Sequence, residues 1–569
     1  MTLVLKDRIN WNTAVLLGVT ALVIYLTLIP LMMMVYGSFQ NGPPGTASSF
    51  TLNNYARAFQ NPVLYKSVIN SLIFALGAGS LAFGIGCLLA WFTERTNTPL
   101  KELIYLAVFI EVMIPGILES ISWVLLLSPT IGVINVYGKA IFGLSEAPFN
   151  IYSMGGMIWS FGVSSYTVPF LLMAAAFHSM DPALEEAAFV SGSGRLQTVH
   201  RITLRLMLPS MLAAWLLLFI RGIETFEVPA ILGLPAGIIV LATEVYLTAR
   251  EVPTDYNLAA TFAMVYVLVA LVGLYVYFRA TRYAERFAVI SGKGFRPVVM
   301  DLGWWRYVAA GACFLLLVVI AFLPLLVIVY TSFLPWYAPP SAKMFRLMSL
   351  DNYRFLMGYE LVLKAFRNNL IVGLGSASIT VFLTSVIAWI VVRSTIPGRK
   401  ILDALAFSPI AFPGVVFGLS LMWLYLTLPV PVYGTLWILL IAYVSKYMPV
   451  SMRACNAALI QVNKELEEAS KASGASWWDT FRRILVPLIL PGMFVGWAYV
   501  LSLTFKVLSL PVLLGHAGTE VVPVLIFDLY EGGQYTVLNA LGVGVIIVVT
   551  SISLVARMVS RRFGLEQFE

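Results

Sequence analysis

The chain has little charge. Asp, Glu, Lys and Arg make up 11% of its 569 residues, whereas hydrophobic residues make up 60%. Soluble globular proteins carry roughly 25% charged residues. A chain this poor in charge would not stay dissolved in water, so the composition excludes a soluble protein and indicates an integral membrane protein. The net charge of +8 requires no nucleic-acid partner, because basic residues collect at the cytoplasmic side of membrane proteins.

Cysteine and histidine are equally scarce, with three residues of each. Cys87, Cys313 and Cys455 all lie inside apolar runs, where a free cysteine packs as a small hydrophobic residue. This pattern predicts neither a disulfide framework nor a metal site.

The sequence also lacks the G-x-x-x-x-G-K-[ST] motif that binds ATP phosphates. The segment 291–294 reads SGKG, without the required spacing. We therefore predict that the chain is not an enzyme, and that it binds no cofactor of its own.

Long apolar runs, by contrast, are abundant, and twelve of them reach the length of about 20 residues that spans a bilayer as a helix. They are 14–36, 68–92, 103–127, 151–178, 206–233, 257–278, 307–331, 366–392, 401–427, 432–460, 488–515 and 537–557. Pro-Gly pairs at 115–116 and 413–414 interrupt the third and ninth runs, so we expect kinks there.

Lysine and arginine are concentrated in alternate loops, including 195–205, 279–296 and 393–400. Because such loops face the cytoplasm, the pattern predicts a multi-pass membrane protein with both termini in the cytoplasm.

The two halves of the chain repeat each other. Matched residues are 298 positions apart up to the third run, as in Arg95 and Arg393, and 282 apart after it, as in Glu185 and Glu467. The first half therefore has 16 extra residues, which we place around 128–150. An even number of spans in each repeat gives both the same orientation, so we expect a pseudo-two-fold axis along the membrane normal and a path between the halves.

This repeat predicts an all-α integral membrane fold of two tandem six-helix bundles, with about 12 transmembrane helices in all. We divide the chain into a first transmembrane domain at 1–290, a cytoplasmic linker at 291–305 and a second transmembrane domain at 306–569.

One short polar motif occurs in both halves. Residues 185–194 read EEAAFVSGSG and residues 467–476 read EEASKASGAS. Gly192 and Gly474 can adopt positive φ, end a helix and turn the chain into a second, amphipathic helix. Such a helix could simply lie on the membrane surface, but two copies at equivalent places favour a partner with two equivalent sites.

The motif E-A-A-x-x-x-G, about twenty residues before a Pro-containing span, resembles the cytoplasmic loop of permease subunits in binding-protein-dependent ABC importers. The whole chain resembles the fused kind, with two permease domains in one polypeptide, as in ferric iron transporters. The resemblance implies a type I importer fold in a bacterial inner membrane and two coupling loops that dock on an ATPase. Their residues would be Glu185, Glu186, Ala187, Ala188, Gly192, Arg201, Glu467, Glu468, Ala469, Gly474 and Arg483.

The resemblance also implies partners: two copies of an ABC ATPase subunit, which would bind ATP and Mg, and a periplasmic solute-binding protein. Ferric iron is the first expectation for the cargo, with thiamine, polyamine or a phosphonate as alternatives. A secondary transporter driven by an ion gradient is the alternative of another class. Two departures between the copies, Ser470 for Ala188 and Arg205 for Pro487, suggest that the loops dock unequally.

Charged residues inside predicted spans are candidates for a translocation path or gate, because charge is costly in a bilayer. These candidates are Glu119, Arg221, Glu224, Glu227 and Lys506, and Glu111 is a similar one. At the 282 offset Glu224 corresponds to Lys506, so we expect these two to pair across the axis and close the path in one state. A local pair of Arg221 with Glu224 is the alternative.

Overall fold

The computed structural model describes residues 11–180, 183–285 and 300–562. Most of the predicted linker, at 291–299, lies outside the described residues, as do both chain ends whose orientation was predicted and the side chain of Glu186.

The described part of the chain is built almost entirely from helices, many of them long and apolar. In the first half the α-helices are α1 (Trp11–Ser38), α2 (Asn53–Gln60), α3 (Pro62–Arg95), α4 (Lys101–Met113), α5 (Gly116–Leu127), α6 (Val133–Phe142), α7 (Met154–Ser164), α8 (Thr167–His178), α9 (Ala183–Val190), α10 (Arg195–Thr198), α11 (Leu204–Glu224), α12 (Leu241–Arg250) and α13 (Tyr256–Glu285).

The second half continues in a matching order. Its α-helices are α14 (Trp305–Leu317), α15 (Leu323–Ser332), α16 (Ala342–Arg346), α17 (Asp351–Gly358), α18 (Glu360–Arg393), α19 (Arg399–Phe407), α20 (Gly414–Thr427), α21 (Leu436–Gln461), α22 (Glu465–Ala472), α23 (Trp477–Thr480), α24 (Val486–Lys506), α25 (Pro511–Leu514), α26 (Val522–Glu531) and α27 (Tyr535–Arg562). Short π-helical turns are Val199–Thr203, Pro229–Gly233, Val318–Phe322 and Phe481–Leu485, and 3₁₀ turns are Leu234–Ala236 and Ser408–Ala411.

Eight helical segments in the described residues are long and apolar enough to cross a membrane, and four bent helix pairs raise the number to as many as twelve. The predicted breaks are confirmed: the chain bends by 105° between α4 and α5 and by 110° between α19 and α20. Each break falls at a Pro-Gly pair, where proline removes a backbone donor. The pair Pro229–Ala236 and Leu241–Arg250 bends by 78° and was not predicted.

The first helix of each half packs on the other half. α1 lies against α19, α20 and α21, while α14 and α15 lie against α4 and α5. The hydroxyls of Tyr25 in α1 and Tyr425 in α20 are 2.8 Å apart. A Cβ added at Gly37 would come within 2.5 Å of the Trp423 ring, so glycine permits this close approach.

The repeat extends to individual contacts. The indole of Trp215 donates to the hydroxyl of Ser80 at 3.0 Å, and that of Trp497 donates to Ser378 at 3.1 Å. Both bonds join the fifth predicted span of a half to its second, so the two offsets found in the sequence describe one repeated packing arrangement.

The segment that begins the second half is fastened to the first. The Met300 N–H donates to the Arg95 carbonyl at 2.9 Å, and the Asn97 N–H donates to the Met300 carbonyl at 3.2 Å. Asp301 accepts a further hydrogen bond from the Asn97 amide. Residues 300–302, predicted as linker, therefore pack beside the end of α3.

Candidate coupling loops and inter-half cavity

The two copies of the polar motif have the same local structure. In each, a helix (α9 or α22) ends at a glycine, and a short helix, a π turn and a long helix follow. Gly192 has φ of +85° and Gly474 has φ of +80°, as predicted. The Ser193 N–H donates to the Ala188 carbonyl at 3.0 Å, which closes the helix end in the manner of a Schellman turn.

A buried ion pair anchors the first copy. Arg95, the last residue of α3, forms a salt bridge with Glu185, and their side chains are only 3% and 7% exposed. The Thr203 hydroxyl also donates to the Glu185 carboxylate. The pair therefore ties α9 to the end of α3, and the threonine ties it to the π turn before α11.

The same pair recurs in the second copy. Arg393 Nε lies 2.9 Å from Glu467 Oε1, with both side chains at most 7% exposed. The Trp389 indole donates to Glu467 at 3.3 Å, and Arg393 also donates to the carbonyls of Leu459 and Val462. Sequence reasoning listed these charges but did not pair them, although Arg and Glu each recur at the matching offset.

The motif thus has an inner and an outer side. Glu185 and Glu467 are buried, so they hold the loops in place. Glu468, which follows Glu467, is exposed. The other predicted coupling residues divide in the same way: Ala188 is buried, whereas Ala187, Gly192, Arg201, Ala469, Gly474 and Arg483 are exposed.

The two loops differ in their internal ties. The Ser470 hydroxyl lies 2.9 Å from that of Thr480, which connects α22 to α23. In the first loop the equivalent residues are Ala188 and Thr198, and an alanine cannot form this bond. Arg205 and Pro487 occupy the second position of α11 and α24, so this departure leaves the helix starts in register.

A cavity of about 540 Å³ lies between the two halves. It is bordered by α4, α5, α8 and α11 of the first half and by α24 and α27 of the second. The charged residues that line it are Glu111, Glu119, Arg221, Glu227 and Lys506. Most of the predicted path residues are therefore brought together, and Glu111 joins them.

Lys506 reaches across to the broken helix of the first half. Its ammonium donates to the Val112 carbonyl, which the break after α4 leaves free. The carboxylates that act on this ammonium are those of Glu111 and Glu119, rather than that of Glu224. The expected pairing of Glu224 with Lys506 is therefore not present in this conformation.

Glu224 has different charged neighbours, the half-buried Lys446 of α21 and Arg221 of its own helix, which was the expected local alternative. The Lys446 ammonium donates to the carbonyls of Pro409 and Phe412, at the break between α19 and α20. A two-fold axis carries equivalent residues to opposite positions. Lys506 therefore meets the broken helix of the other half directly, and Glu224 lies near Lys446, which binds the corresponding break. The sequence offset identifies equivalent residues of the two halves. Residues that a two-fold axis relates are neighbours only if they lie close to that axis.

Glu227 also joins the halves. Its Oε1 accepts a hydrogen bond from the Leu508 N–H at 3.1 Å. The side chain of Arg221, by contrast, is exposed. Among the residues that the structure describes, no group of three or more His, Cys, Asp or Glu side chains is arranged to hold a metal ion.

A second cavity, of about 390 Å³, lies away from the motif loops and also has residues of both halves in its wall. Arg250 of the first half lines it together with Tyr433, His516 and Asp528 of the second. Partial burial raises the pKa of the Asp528 carboxyl, although the nearby Arg250 charge opposes this shift. The Arg250 guanidinium is itself held by the Val512 carbonyl at 3.1 Å.

Comparison with known proteins gives consistent relatives. Residues 380–564 match the family "Binding-protein-dependent transport system inner membrane component". The chain is 25% identical to a ferric transport system permease protein of Actinobacillus pleuropneumoniae, over 95% of this chain and 77% of that protein. It is 26% identical to a putative ferric transport system permease protein of Haemophilus influenzae, over 84% of this chain and 74% of that protein. It is 32% identical to a probable sulfate transport system permease protein of Nephroselmis olivacea, over 32% of this chain and 70% of that protein.

Proposed function

Because the chain belongs to the family of inner membrane components of binding-protein-dependent transport systems, we propose that it forms the membrane pathway of an ATP-driven importer. A periplasmic binding protein would deliver the solute, and a separate pair of ATPase subunits would supply the energy. The chain itself would contribute the path and the two docking loops.

The observation that carries this proposal is the duplicated anchoring of the motif. Each half ends a long helix in a buried arginine, Arg95 or Arg393, and each arginine holds the buried first glutamate of the motif. Glu468, Ala187 and Ala469, which follow these glutamates, are exposed. A loop that only covered the membrane surface would not need a buried ion pair in both halves, whereas a loop that transmits force does.

We propose alternating access as the mechanism. Closure of the ATPase pair would push both coupling loops, and the long helices that follow them, α11 and α24, would carry the movement to the inter-half cavity. The two halves would then rock against each other around the charged residues of that cavity.

Ferric iron is the proposed cargo. Two relatives that align with most of the chain are named as ferric transport permeases. The cavity contains three carboxylates but also Arg221 and Lys506, so its charge alone does not decide the cargo. A sulfate permease and a putative 2-aminoethylphosphonate permease are also relatives, so a phosphonate, like thiamine or a polyamine, is the alternative. Transport driven by an ion gradient would explain the cavity charges but not the two anchored loops.

We further propose the arrangement 1–290, 291–305 and 306–569 for the two permease domains and their linker, with both termini in the cytoplasm. In this orientation both motif loops face the ATPase and the cavity lined by Arg250 and Asp528 faces the binding protein.

The test is reconstitution. The full chain should co-purify with an ABC ATPase, and in liposomes it should import solute only when the ATPase, ATP and the binding protein are present. Import by the chain in liposomes that contain neither ATPase nor ATP would refute the proposal.

The cargo is tested separately on the neighbouring binding protein. Ferric iron should raise its melting temperature, and thiamine, spermidine and 2-aminoethylphosphonate should not. A shift with thiamine but not with ferric iron would overturn the cargo while leaving the importer intact.

A further inference from the structure

The inter-half cavity contains carboxylate oxygens that receive no hydrogen bond from the described residues of its walls. Glu111 and Glu119 are each 4% exposed. Both carboxylate oxygens of Glu111, and Oε1 of Glu119, receive no hydrogen bond from any described residue. A carboxylate that leaves water without a partner is costly, and the two carboxyl groups lie beside each other. These oxygens therefore call for a shared proton or for a cation, not for an anion.

The two carboxylates have no acidic counterpart in the other half. Their equivalents there are Pro409 and Phe417, and the charges near Glu224 are those of Lys446 and Arg221. At the first position Glu111, Glu119 and Arg221 surround the ammonium of Lys506. The carboxylate pair is therefore specific to the first half, where it borders the cavity.

We propose that Glu111 and Glu119 form a transient binding site for a multivalent metal cation, and that the Lys506 ammonium occupies this site as a built-in counter-ion when no cargo is present. The inference rests on the proposed import function, which gives such a cation a reason to cross. Carboxylate and carbonyl oxygens suit hard cations. The Val112 carbonyl, which now accepts from Lys506, would become available as a third oxygen ligand once the ammonium left.

The site changes its charge when the halves move. Glu111 and Glu119 flank the break between α4 and α5 in the first half, whereas Lys506 is the last residue of α24 in the second. With Lys506 withdrawn, the two carboxylates attract a cation, and with Lys506 returned, like charges repel it. The rocking that opens the path would therefore load the site and the reverse movement would empty it.

A weak site is what this role requires. Resident Ca²⁺ sites use six to eight oxygen ligands, and in the described residues no group of three or more His, Cys, Asp or Glu side chains is arranged to hold a metal ion. Conduction needs binding strong enough for entry and weak enough for exit. Two carboxylates with a competing ammonium satisfy both conditions.

Removal of the competing ammonium should strengthen binding, and this sign distinguishes the proposal from an ordinary structural ion pair. The probe is Tb³⁺, titrated into the full-length chain in lipid nanodiscs and detected by luminescence that Tyr499, which lines the cavity, can sensitise. Lys506→Met should raise the Tb³⁺ affinity by about tenfold or more, since it leaves two carboxylates without their counter-ion. The double variant Glu111→Gln/Glu119→Gln should lose this component of binding.

Two further variants control for misfolding and for binding elsewhere. Lys506→Arg keeps the positive charge, so its Tb³⁺ affinity should stay close to that of the parent chain. Glu360→Gln removes an exposed carboxylate at the start of α18 and should leave the titration unchanged. Each variant is compared as a monodisperse sample with an unchanged melting temperature, and Lys506→Gln replaces Lys506→Met if the latter does not insert.

Three results would overturn the proposal. The first is a Tb³⁺ affinity of Lys506→Met, or of Lys506→Gln in its place, that equals or is lower than that of the parent chain. The second is Tb³⁺ binding by the double glutamine variant equal to that of the parent chain, and the third is displacement of Tb³⁺ by a lower concentration of spermidine than of La³⁺. The cation site and the importer function can be refuted separately. If ATP hydrolysis is stimulated by the binding protein but Tb³⁺ does not bind at this site, only the cation site is wrong. If Tb³⁺ binds as described but no ATPase assembles with the chain, the proposed importer is wrong.

Discussion

Arg393 and Glu467 are matched charges in an environment nearly closed to water, so each depends on the other. Replacing Arg393 by Ala leaves a buried carboxylate without its counter-ion, a loss of about 3–5 kcal/mol in proteins generally. We expect Arg393→Ala to loosen the second loop, seen as faster hydrogen exchange over 465–485, and to lower ATP hydrolysis coupled to transport.

The comparison variants separate the ion pair from the loss of an arginine as such. Arg483→Ala removes an exposed arginine from the same loop and should change stability by less than about 0.5 kcal/mol. Replacing both Arg393 and Glu467 by Met should restore most of the stability, because a neutral pair leaves no buried charge. A double variant as unstable as Arg393→Ala would show that another interaction holds the loop.

Gly192 is required for its backbone conformation rather than for space. Its φ is +85°, and a Cβ built there meets no atom within 4 Å. A β-branched residue is strained in this region by about 1–2 kcal/mol, so Gly192→Val should insert normally in the membrane but lower coupled ATP hydrolysis.

The matched control for this substitution is two residues away. Gly194 also has open space around it but lacks a positive φ, so Gly194→Ala should be tolerated or slightly stabilising. If Gly192→Val keeps full coupling, or if Gly194→Ala harms it equally, the left-handed turn is not what positions the first loop.

At the scale of elements, the second loop has a bond between its two short helices that the first loop lacks. Ser470 and Thr480 join α22 to α23 through their hydroxyls, a bond worth about 1 kcal/mol, and Ala188 offers no counterpart. Ser470→Ala should therefore speed hydrogen exchange in α22 without affecting α9, and the reciprocal Ala188→Ser should slow exchange in α9. No difference in either variant would mean that the loops are equally stable despite their sequences.

Both helix breaks could be predicted because the Pro-Gly pairs act locally. The bend of 78° within 229–250 could not be predicted. The apolar composition of α11 continues into this segment, and only the structure shows that α11 ends at Glu224. The buried Arg–Glu pairs were within reach, because four matched charges recur at the two offsets. What was missing was the distance between them, which depends on how α3 meets α9.

For the whole molecule, the sequence repeat identifies equivalent residues but not neighbouring ones. Glu224 and Lys506 illustrate this difference, since the two-fold axis separates them and gives each a partner in the opposite half. The packing of α1 and α14 on the opposite halves could not be predicted either, because an apolar run does not indicate which bundle it packs against.

The proposed domain division predicts that the halves can assemble from separate chains. Co-expressed 1–290 and 291–569 should form a complex that purifies together, because cross-half contacts such as Trp423 to the Tyr256 carbonyl and Tyr530 to the Ile231 carbonyl do not need a covalent link. Each half expressed alone should be degraded, since its swapped helix has no surface to cover. Stable, separately purified halves would contradict this prediction.

The exchange of first helices also sets the order in which the nascent chain can finish folding. α4 and α5 have their partners in α14 and α15, which leave the ribosome roughly 200 residues later, about 10–40 s at ordinary synthesis rates. During that interval the broken helix with its two carboxylates faces lipid or the insertion machinery without its cover. During synthesis α4 and α5 therefore remain without these partners for a time, and this is the stage at which a chaperone of the membrane insertion apparatus would be needed most.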